Sequence, residues 1–248
     1  MEQITVTGMV LIATPMGEYD KRVVILTKER GKISAFARGA RRPKSSLTGA
    51  VSPFSFGTFF LYEGRSSYTL VSAEISNYFA ELRLDVEGAY YGFYFMDIAN
   101  YYAREANDET QLLKLLYQTL RALTKKSLPD RLIRYIYELK AITVNGEGPD
   151  VFHCRICHQE KKEGMFSPLK GGLVCRDCSR YAADAVPMDP STLYTIQYIE
   201  TSSIEKLYTF TVTDIVLQEL GMIAGRYMEI HVDRHFKSLD ILEQIIGA

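Results

Sequence analysis

The chain has 248 residues, of which 47% are hydrophobic and 24% charged, and its formal net charge at pH 7 is −1. No apolar stretch approaches the roughly 18 residues that a membrane-spanning helix needs, and Met1-Glu2-Gln3 begins neither a basic region nor an apolar signal segment. These features argue against a membrane or secreted protein, so we expect a cytoplasmic protein that buries a sizeable core.

Up to about Tyr78, short β-rich runs alternate with turn residues, which predicts a series of strands. The predicted strands are Ile4 to Ala13, Arg22 to Thr27, Ile33 to Arg38, Phe54 to Tyr62 and Tyr68 to Ile75. So many strands in so short a segment leave exposed edges unless the sheet closes, and we therefore expect a small five-stranded barrel of the OB-fold type. An SH3-like barrel fits the strand count almost as well.

The third predicted strand lies within a cluster of cations. From Lys21 to Lys44 there are nine basic residues and one acidic residue, Glu29. Strand alternation places the cations and one aromatic ring on the face opposite the apolar side chains: Ile33, Ala35 and Ala37 on one face, and Lys32, Ser34, Phe36 and Arg38 on the other. So many like charges repel one another unless a polyanion binds.

A ring framed by cations is typical of a surface that binds a nucleic-acid strand, with cations for the phosphates and a ring for a base. The candidate DNA-binding residues are Lys21, Arg22, Lys32, Phe36, Arg38, Arg41, Arg42 and Lys44. The alternative is a solvated face with Phe36 turned into the barrel, where large side chains are also needed.

Helical spacing replaces strand alternation after Ala80. The first predicted helix, about Ala89 to Arg104, is crowded with aromatic residues, which favours burial on several sides over base stacking. Further helices are predicted around 112–123, about Arg131 to Thr143, and Val212 to Asp233. Two apolar stripes mark them: Leu112, Leu113, Leu116, Leu120 and Leu123, and later Ile215, Val216, Leu220, Ile223, Tyr227 and Ile230.

The chain contains four cysteines, and all of them fall into one pattern: Cys154, Cys157, Cys175 and Cys178. Two Cys-x2-Cys pairs joined by a Gly- and Pro-containing hairpin are typical of a tetrahedral zinc site. Four thiolates leave no coordination position for water, so we expect one structural zinc ion. Two disulfides are the rival arrangement, and His153 or His158 is the rival ligand.

The strand alternation, the helical spacing and the cysteine pairs together predict an α+β protein: an N-terminal five-stranded OB-fold-like barrel, then a helical domain with an inserted four-cysteine zinc segment. The predicted boundaries are residues 1–79 for the barrel, 80–151 for the first helices, 152–181 for the zinc segment and 182–248 for the last helices. The first 80 residues hold ten Lys and Arg against six Asp and Glu, and the remainder holds 19 against 24. The two ends are therefore expected to have different partners.

Sequence signatures of catalysis are missing: there is no Walker-type loop, no Gly-x-Ser-x-Gly and no His-Glu-x-x-His. We therefore expect no enzyme and no small-molecule substrate. The rival classes are a zinc-ribbon DNA-binding regulator, which needs base-reading side chains, and a protein adaptor, which the acidic helices allow. A nuclease would need clustered carboxylates or an open metal site.

The chain resembles the bacterial RecO recombination mediators in several short motifs. They are Gly17-Glu18-x-x-Lys21-x-Val23, Thr27-x-Glu29-x-Gly31-Lys32-Ile33, Ala37-Arg38-Gly39-Ala40-Arg41, Leu47, Pro53-Phe54, Leu132-x-x-x-Tyr135-x-x-Glu138-Leu139 and Gly148-Pro149. The resemblance covers essentially the whole chain, and the cysteines lie where many members carry a zinc finger. One departure is His158, since glycine often follows the second cysteine.

This resemblance implies an N-terminal OB-fold, a helical domain and a zinc-binding segment. It also implies a protein that binds single- and double-stranded DNA, anneals complementary strands, and works with RecR to load the RecA recombinase. The strands to be loaded are covered by single-stranded DNA-binding protein, a further expected partner. Such a protein acts in DNA repair and recombination after DNA damage, and it would associate with the nucleoid at repair sites.

Overall fold

The structure, a computed structural model, describes residues 2–65 and 67–247 and divides the chain into two compact units. The first unit comprises Met1–Thr124 together with Ser238–Ala248, and the second comprises Lys125–Lys237. Among the described residues, no helix is long and apolar enough to cross a membrane.

Five strands of the first unit form a closed barrel. They are β1 (Glu2–Met16), β2 (Asp20–Thr27), β3 (Gly31–Ala37), β4 (Phe56–Glu63) and β5 (Tyr68–Asn77), with a short helix α1 (Leu47–Ala50) between β3 and β4. Neighbouring strands follow the order β1-β2-β3-β5-β4, and β4 pairs with β1 to close the ring. Only β3 and β5 pair in parallel. The predicted OB-fold-like barrel is confirmed.

The barrel interior is built by the expected alternation along the strands. In β3, Ile33, Ala35 and Ala37 are buried, whereas Ser34 and Phe36 are half-buried on the opposite face. The same core contains Val6, Val10, Val23, Ile25, Phe59, Leu61 and Leu70. Burying each of the larger aliphatic or aromatic side chains contributes roughly 1.5–3 kcal/mol, so this interior is the main source of the barrel's stability.

Strand β4 begins at Phe56, two residues later than predicted. Phe54 has a φ of 73°, in the left-handed region, and its buried ring lies 5.0 Å from the ring of Phe93. A non-glycine residue in this conformation costs roughly 1–2 kcal/mol. The burial of the phenyl ring offsets that cost, because it is worth a similar or larger amount.

The first unit also contains α2 (Val86–Tyr102), most of α3 (Thr110–Lys125) and α7 (Lys237–Ile246). The Asp85 carboxylate caps α2 by accepting a hydrogen bond of 3.1 Å from the Gly88 N–H. Core packing of the α2 aromatics is confirmed, since its fully buried side chains include Tyr91, Tyr94 and Phe95. The predicted leucine stripe of α3 is buried as well: Leu112, Leu113, Leu116, Leu120 and Leu123.

The second unit contains α4 (Asp130–Val144), α5 (Pro190–Thr201) and α6 (Asp214–His231), which pack on one another. A buried lysine fastens α4 to the C-terminal end of α5: the ammonium of Lys140 donates to the carbonyls of Ile199 (3.0 Å), Glu200 (2.7 Å) and Ser202 (2.9 Å). Carbonyls at a helix end have no partner within the helix, so a cation there is stabilising.

The apolar stripe predicted for α6 is wrong at both ends. Val216, Leu220, Ile223 and Tyr227 are buried. Ile215 and Ile230 are 63% and 44% exposed. Ile215 precedes Val216 by one residue, which rotates it by about 100° around the helix, away from the buried face.

A small three-stranded sheet completes the second unit. Its strands β6 (Met165–Ser167), β7 (Gly172–Val174) and β8 (Val186–Pro187) are ordered β7-β6-β8. A 3-10 helix, Arg176–Tyr181, follows β7 directly. Strands β6 and β7 lie between the two cysteine pairs in sequence, and the hairpin that they form returns the second pair to the first.

Candidate metal centre and nucleic-acid interface

The four cysteine sulfur atoms lie within 4.8 Å of one another in the second unit. The Sγ atoms of Cys157 and Cys175 are 3.9 Å apart, about twice the length of a disulfide bond of ~2.05 Å. A tetrahedron with metal–sulfur bonds of about 2.3 Å has sulfur–sulfur edges of roughly 3.8 Å. The geometry therefore fits a single metal ion held by all four thiolates, and it does not fit two disulfides.

Each cysteine pair lies on a tight turn that directs both thiols to the same side. The His158 N–H donates to the Cys154 carbonyl (2.8 Å), and the Cys178 N–H donates to the Cys175 carbonyl (3.0 Å). A further bond of 3.4 Å joins the two turns, from the Cys175 N–H to the Cys154 sulfur. N–H groups that point at sulfur stabilise the thiolate form, which is the form that binds metal.

The thiols of Cys154 and Cys178 do not ionise equally, because their pKa values are shifted in opposite directions. Burial opposes ionisation of Cys154, yet backbone N–H groups of Cys157, Cys175 and Ile156 lower its pKa to about 6. In contrast, desolvation and hydrogen bonds with the other thiols raise the pKa of Cys178 to about 12. Four thiolates in one place thus require a positive charge between them, which a divalent ion supplies.

The two neighbouring histidines stand outside the sulfur cluster. Among the residues that the structure describes, the metal-binding group contains only the four cysteines. His153 lies 3.5 Å from the Asp150 carboxylate through Nδ1. His158 has a φ of 59° at the position where glycine is common, so the turn keeps its left-handed residue without the glycine. Neither histidine is placed as a ligand.

Most of the predicted cations lie at the start of β2 and in the loop that follows β3. Arg22, Arg38, Arg41, Arg42 and Lys44 are exposed, and Lys21 is half-buried. We call these residues, Lys21, Arg22, Arg38, Arg41, Arg42 and Lys44, the basic loop surface. Phe36 extends this surface on the strand face, because it lies opposite Arg22 in the β2–β3 register and opposite Thr69 in the β3–β5 register. Of the two orientations that the sequence left open for Phe36, the structure has the one that faces away from the barrel core.

Lys32 is placed apart from the other candidates, at the opposite end of β3 from Arg38. Its ammonium donates a 2.6 Å hydrogen bond to the Asn100 carbonyl, in the last turn of α2, where a cation also compensates the helix dipole. Its backbone N–H donates to the Arg104 carbonyl at 2.8 Å. These contacts favour a role for Lys32 in fastening the barrel to α2.

The loop after β3 is fastened to the turn between β1 and β2. The Gly39 N–H donates to the Asp20 carboxylate at 2.7 Å. Arg41 contributes twice, from its backbone N–H to the Tyr19 carbonyl (2.8 Å) and from Nη1 to the Gly17 carbonyl (3.0 Å). The cations of the loop are therefore carried on backbone of defined position, although the loop has no regular secondary structure.

Sequence reasoning missed Tyr19 in this surface. Tyr19 is 41% exposed, and the guanidinium carbon of Arg42 lies 5.3 Å from the centre of its ring. The available signal was a tyrosine between the turn glycine, Gly17, and the first cation, Lys21. Its contact with Arg42 spans residues far apart in sequence and was not predictable from spacing.

These observations define the class of protein: an OB-fold-like barrel with a basic loop surface, joined to helices and a four-cysteine metal centre. Comparison with known proteins then gives the family. The family model described as Recombination protein O N terminal matches residues 1–79, and that described as Recombination protein O C terminal matches residues 83–240. The chain belongs to the RecO family of DNA repair proteins.

Curated relatives match over nearly their whole length. The chain is 31% identical over 246 residues to the DNA repair protein RecO of Acetivibrio thermocellus, covering 99% of this chain and 98% of the relative. It is 32% identical over 244 residues to the DNA repair protein RecO of Alkaliphilus metalliredigens, covering 98% and 99%. Membership of this family supports a role in DNA repair and recombination.

Proposed function

We propose that the chain binds single- and double-stranded DNA, without sequence preference, through the basic loop surface. The observation that carries this proposal is the clustering of five exposed cations and the half-buried Lys21 on two mutually fastened segments. Cations that contact phosphates displace condensed counterions and bind any sequence. The half-buried ring of Phe36, beside Arg22, offers a base-stacking contact.

We further propose that the bound strands are annealed and that the chain helps to load a recombinase onto single-stranded DNA covered by its binding protein. Annealing needs no bond-making residue, so the proposed protein is not an enzyme. It needs a basic surface that lowers the repulsion between two phosphate backbones. Family membership supports RecR and single-stranded DNA-binding protein as partners, and a site of action at the nucleoid.

The metal is proposed to be one structural zinc ion, held by Cys154, Cys157, Cys175 and Cys178. Zinc prefers tetrahedral thiolate sites, and a four-sulfur shell leaves no position for substrate. The proposed zinc-binding segment is residues 152–181, between helical parts 80–151 and 182–248 that follow the barrel of residues 1–79. An ion at this site would order a segment whose strands, β6 and β7, have three residues each.

Charge reversal tests the DNA-binding surface. The double substitution Arg38→Glu with Arg41→Glu should weaken binding to single strands and duplexes of every sequence, measured by fluorescence anisotropy. The slope of log affinity against log salt should fall by about one counterion term per lost phosphate contact. The matched control is Lys206→Glu with Arg226→Glu, which makes the same charge change at exposed positions of the second unit.

Wild-type affinity and salt slope in the Arg38/Arg41 double variant would contradict the proposal, as would equal losses in the control. A strand-annealing assay then tests the finer step. We expect the full chain to accelerate annealing of complementary oligonucleotides, with and without single-stranded DNA-binding protein, and the double variant to lose that acceleration. Cleavage of labelled DNA in the presence of divalent metal would instead indicate a nuclease.

A further inference from the structure

The turn between β1 and β2 presents an exposed aromatic ring beside Arg42 of the basic loop surface. Tyr19 is 41% exposed, although it follows a strand whose middle residues are buried. Its ring contributes nothing to the barrel core, which is built from other side chains. An exposed ring among cations is a feature that folding alone does not require.

The backbone that carries this ring is held on both sides. Hydrogen bonds from the loop after β3 reach Gly17, Tyr19 and Asp20, at 3.0, 2.8 and 2.7 Å. Three contacts within four residues fix the position of the turn before any ligand arrives. A contact residue on fixed backbone loses less conformational entropy on binding than one on a free loop.

One side of the ring has a cation. The Arg42 guanidinium carbon lies 5.3 Å from the ring centre, within the ~6 Å range of cation–π attraction. A hydrogen bond with Glu18 is the main cause of a raised pKa at the Tyr19 phenol, which therefore stays neutral at physiological pH. The pair thus joins a neutral aromatic surface to a charge that attracts phosphate.

We propose that Tyr19, together with Arg42, is a stacking subsite for an unpaired nucleobase on the basic loop surface. The subsite rests on the proposed function, in which the neighbouring cations hold the phosphate backbone. A base in a duplex is stacked between its own neighbours and cannot reach a tyrosine, whereas a base in a single strand can. Tyr19 therefore adds affinity for single strands alone, and the cations add affinity for both forms.

The test compares Tyr19→Ala and Tyr19→Phe in the full chain. We expect Tyr19→Ala to weaken binding of a mixed-sequence single-stranded oligonucleotide about tenfold, which is the worth of one base–aromatic stack. Duplex affinity and the salt slope should be unchanged, because no phosphate contact is lost. Tyr19→Phe should restore single-strand affinity, since the ring remains.

The chain offers a matched control in Tyr181. This tyrosine is 59% exposed and also lies under an arginine, with the Arg180 guanidinium carbon 4.8 Å from the ring centre. It lies in the second unit and outside the basic loop surface. Tyr181→Ala should leave single-strand affinity at the wild-type value.

Photo-cross-linking gives a second readout that does not depend on affinity. Irradiation of the wild-type chain with a 5-iodouracil single strand should yield a cross-linked peptide that contains Tyr19, and a fully paired duplex should not yield it. The subsite is overturned by any of three results: equal loss on single strand and duplex in Tyr19→Ala, equal loss in Tyr181→Ala, or a cross-link map without Tyr19.

Failure of the subsite and failure of the proposed function give different results. When the Arg38/Arg41 double variant loses affinity and Tyr19→Ala does not, the surface binds DNA but the ring plays no part. When neither variant changes the affinity, the DNA-binding surface itself is misplaced and the subsite falls with it.

Discussion

The half-buried Glu200 makes the stability of the second unit depend on pH. The hydroxyl oxygen of Thr143 lies 2.7 Å from the Leu139 carbonyl and 3.0 Å from Oε1 of Glu200. The Thr143 hydroxyl donates to either of these acceptors, and its bond to Glu200 favours the charged carboxylate. Burial nevertheless raises the pKa of Glu200 to about 7, although the Thr143 hydroxyl and the Lys140 ammonium both lower it.

The sign and size of the effect follow from this shift. The ordinary pKa of the group is 4.5 and its value in the folded chain is about 7. Between these values the folded chain holds a proton that the unfolded chain has released. The stabilisation from that proton is present in full below the unfolded pKa and is lost as the pH rises through about 7. At about 1.36 kcal/mol per pKa unit, the loss reaches roughly 3 kcal/mol by pH ~8.5.

Glu200→Gln isolates this contribution, because glutamine keeps the size, stays uncharged at every pH and still accepts the hydrogen bond from Thr143. Urea unfolding followed by circular dichroism between pH ~5 and ~8.5 gives the free energy of unfolding for both chains. We expect similar values at the acid end and a variant more stable by about 3 kcal/mol at the alkaline end. All other titrating groups are shared, so the difference belongs to Glu200. Glu229→Gln, at an exposed position of α6, is the control and should follow the wild type. A difference between Glu200→Gln and the wild type that does not change with pH would refute the reasoning.

Three further outcomes are expected from single substitutions. Lys140→Met should lower the free energy of unfolding by about 3 kcal/mol in urea titrations, because three helix-end carbonyls lose a charged donor, whereas the exposed Lys206→Met should change it little. His158→Gly should raise the free energy of unfolding by up to ~1 kcal/mol with unchanged zinc content, since glycine adopts φ of 59° without strain. The control His153→Gly, at a position without positive φ, should not raise it. Cys175→Ser should abolish the one-to-one zinc stoichiometry in elemental analysis and expose the zinc segment to protease; full zinc content in this variant would contradict the four-cysteine site.

The sequence predicted those parts of the fold that depend on local patterns. Alternation in β3 predicted that Ile33, Ala35 and Ala37 share one face, and all three are buried. The sequence left open whether Phe36 turns into the barrel, because large side chains are needed there too. The choice between an OB-fold-like and an SH3-like barrel stayed open. It depends on the pairing of β3 with β5 and of β1 with β4, and such pairings join segments far apart in sequence.

The candidate sites also differ in how much of them the sequence predicts. Cysteine spacing suffices to predict that the four sulfur atoms come together, since each pair forms its own turn and only the hairpin between them has to close. The contact made by the Lys32 ammonium was not predictable, because the carbonyl that accepts from it belongs to Asn100, 68 residues away. A count of charges in the sequence gives every lysine the same weight. A lysine that is hydrogen-bonded within the fold can be told from one that is available to a ligand only when the structure shows its partners.

A substitution is informative about DNA binding only if the residue is not also needed for folding. Arg38 and Tyr19 lie at exposed positions outside the barrel core, so their substitution is expected to change binding with little change in stability. Arg41 is exposed as well, but its Nη1 donates to the Gly17 carbonyl, so its substitution removes a loop contact together with the charge. Cys154 and Cys175 are buried within the segment they hold together, and a cysteine variant that loses DNA binding has also lost local structure. Reduced annealing in Cys175→Ser therefore cannot assign DNA contacts to the zinc segment. Only exposed side chains of that segment, such as Tyr181, can show whether it touches DNA, because their removal leaves the four sulfur atoms in place.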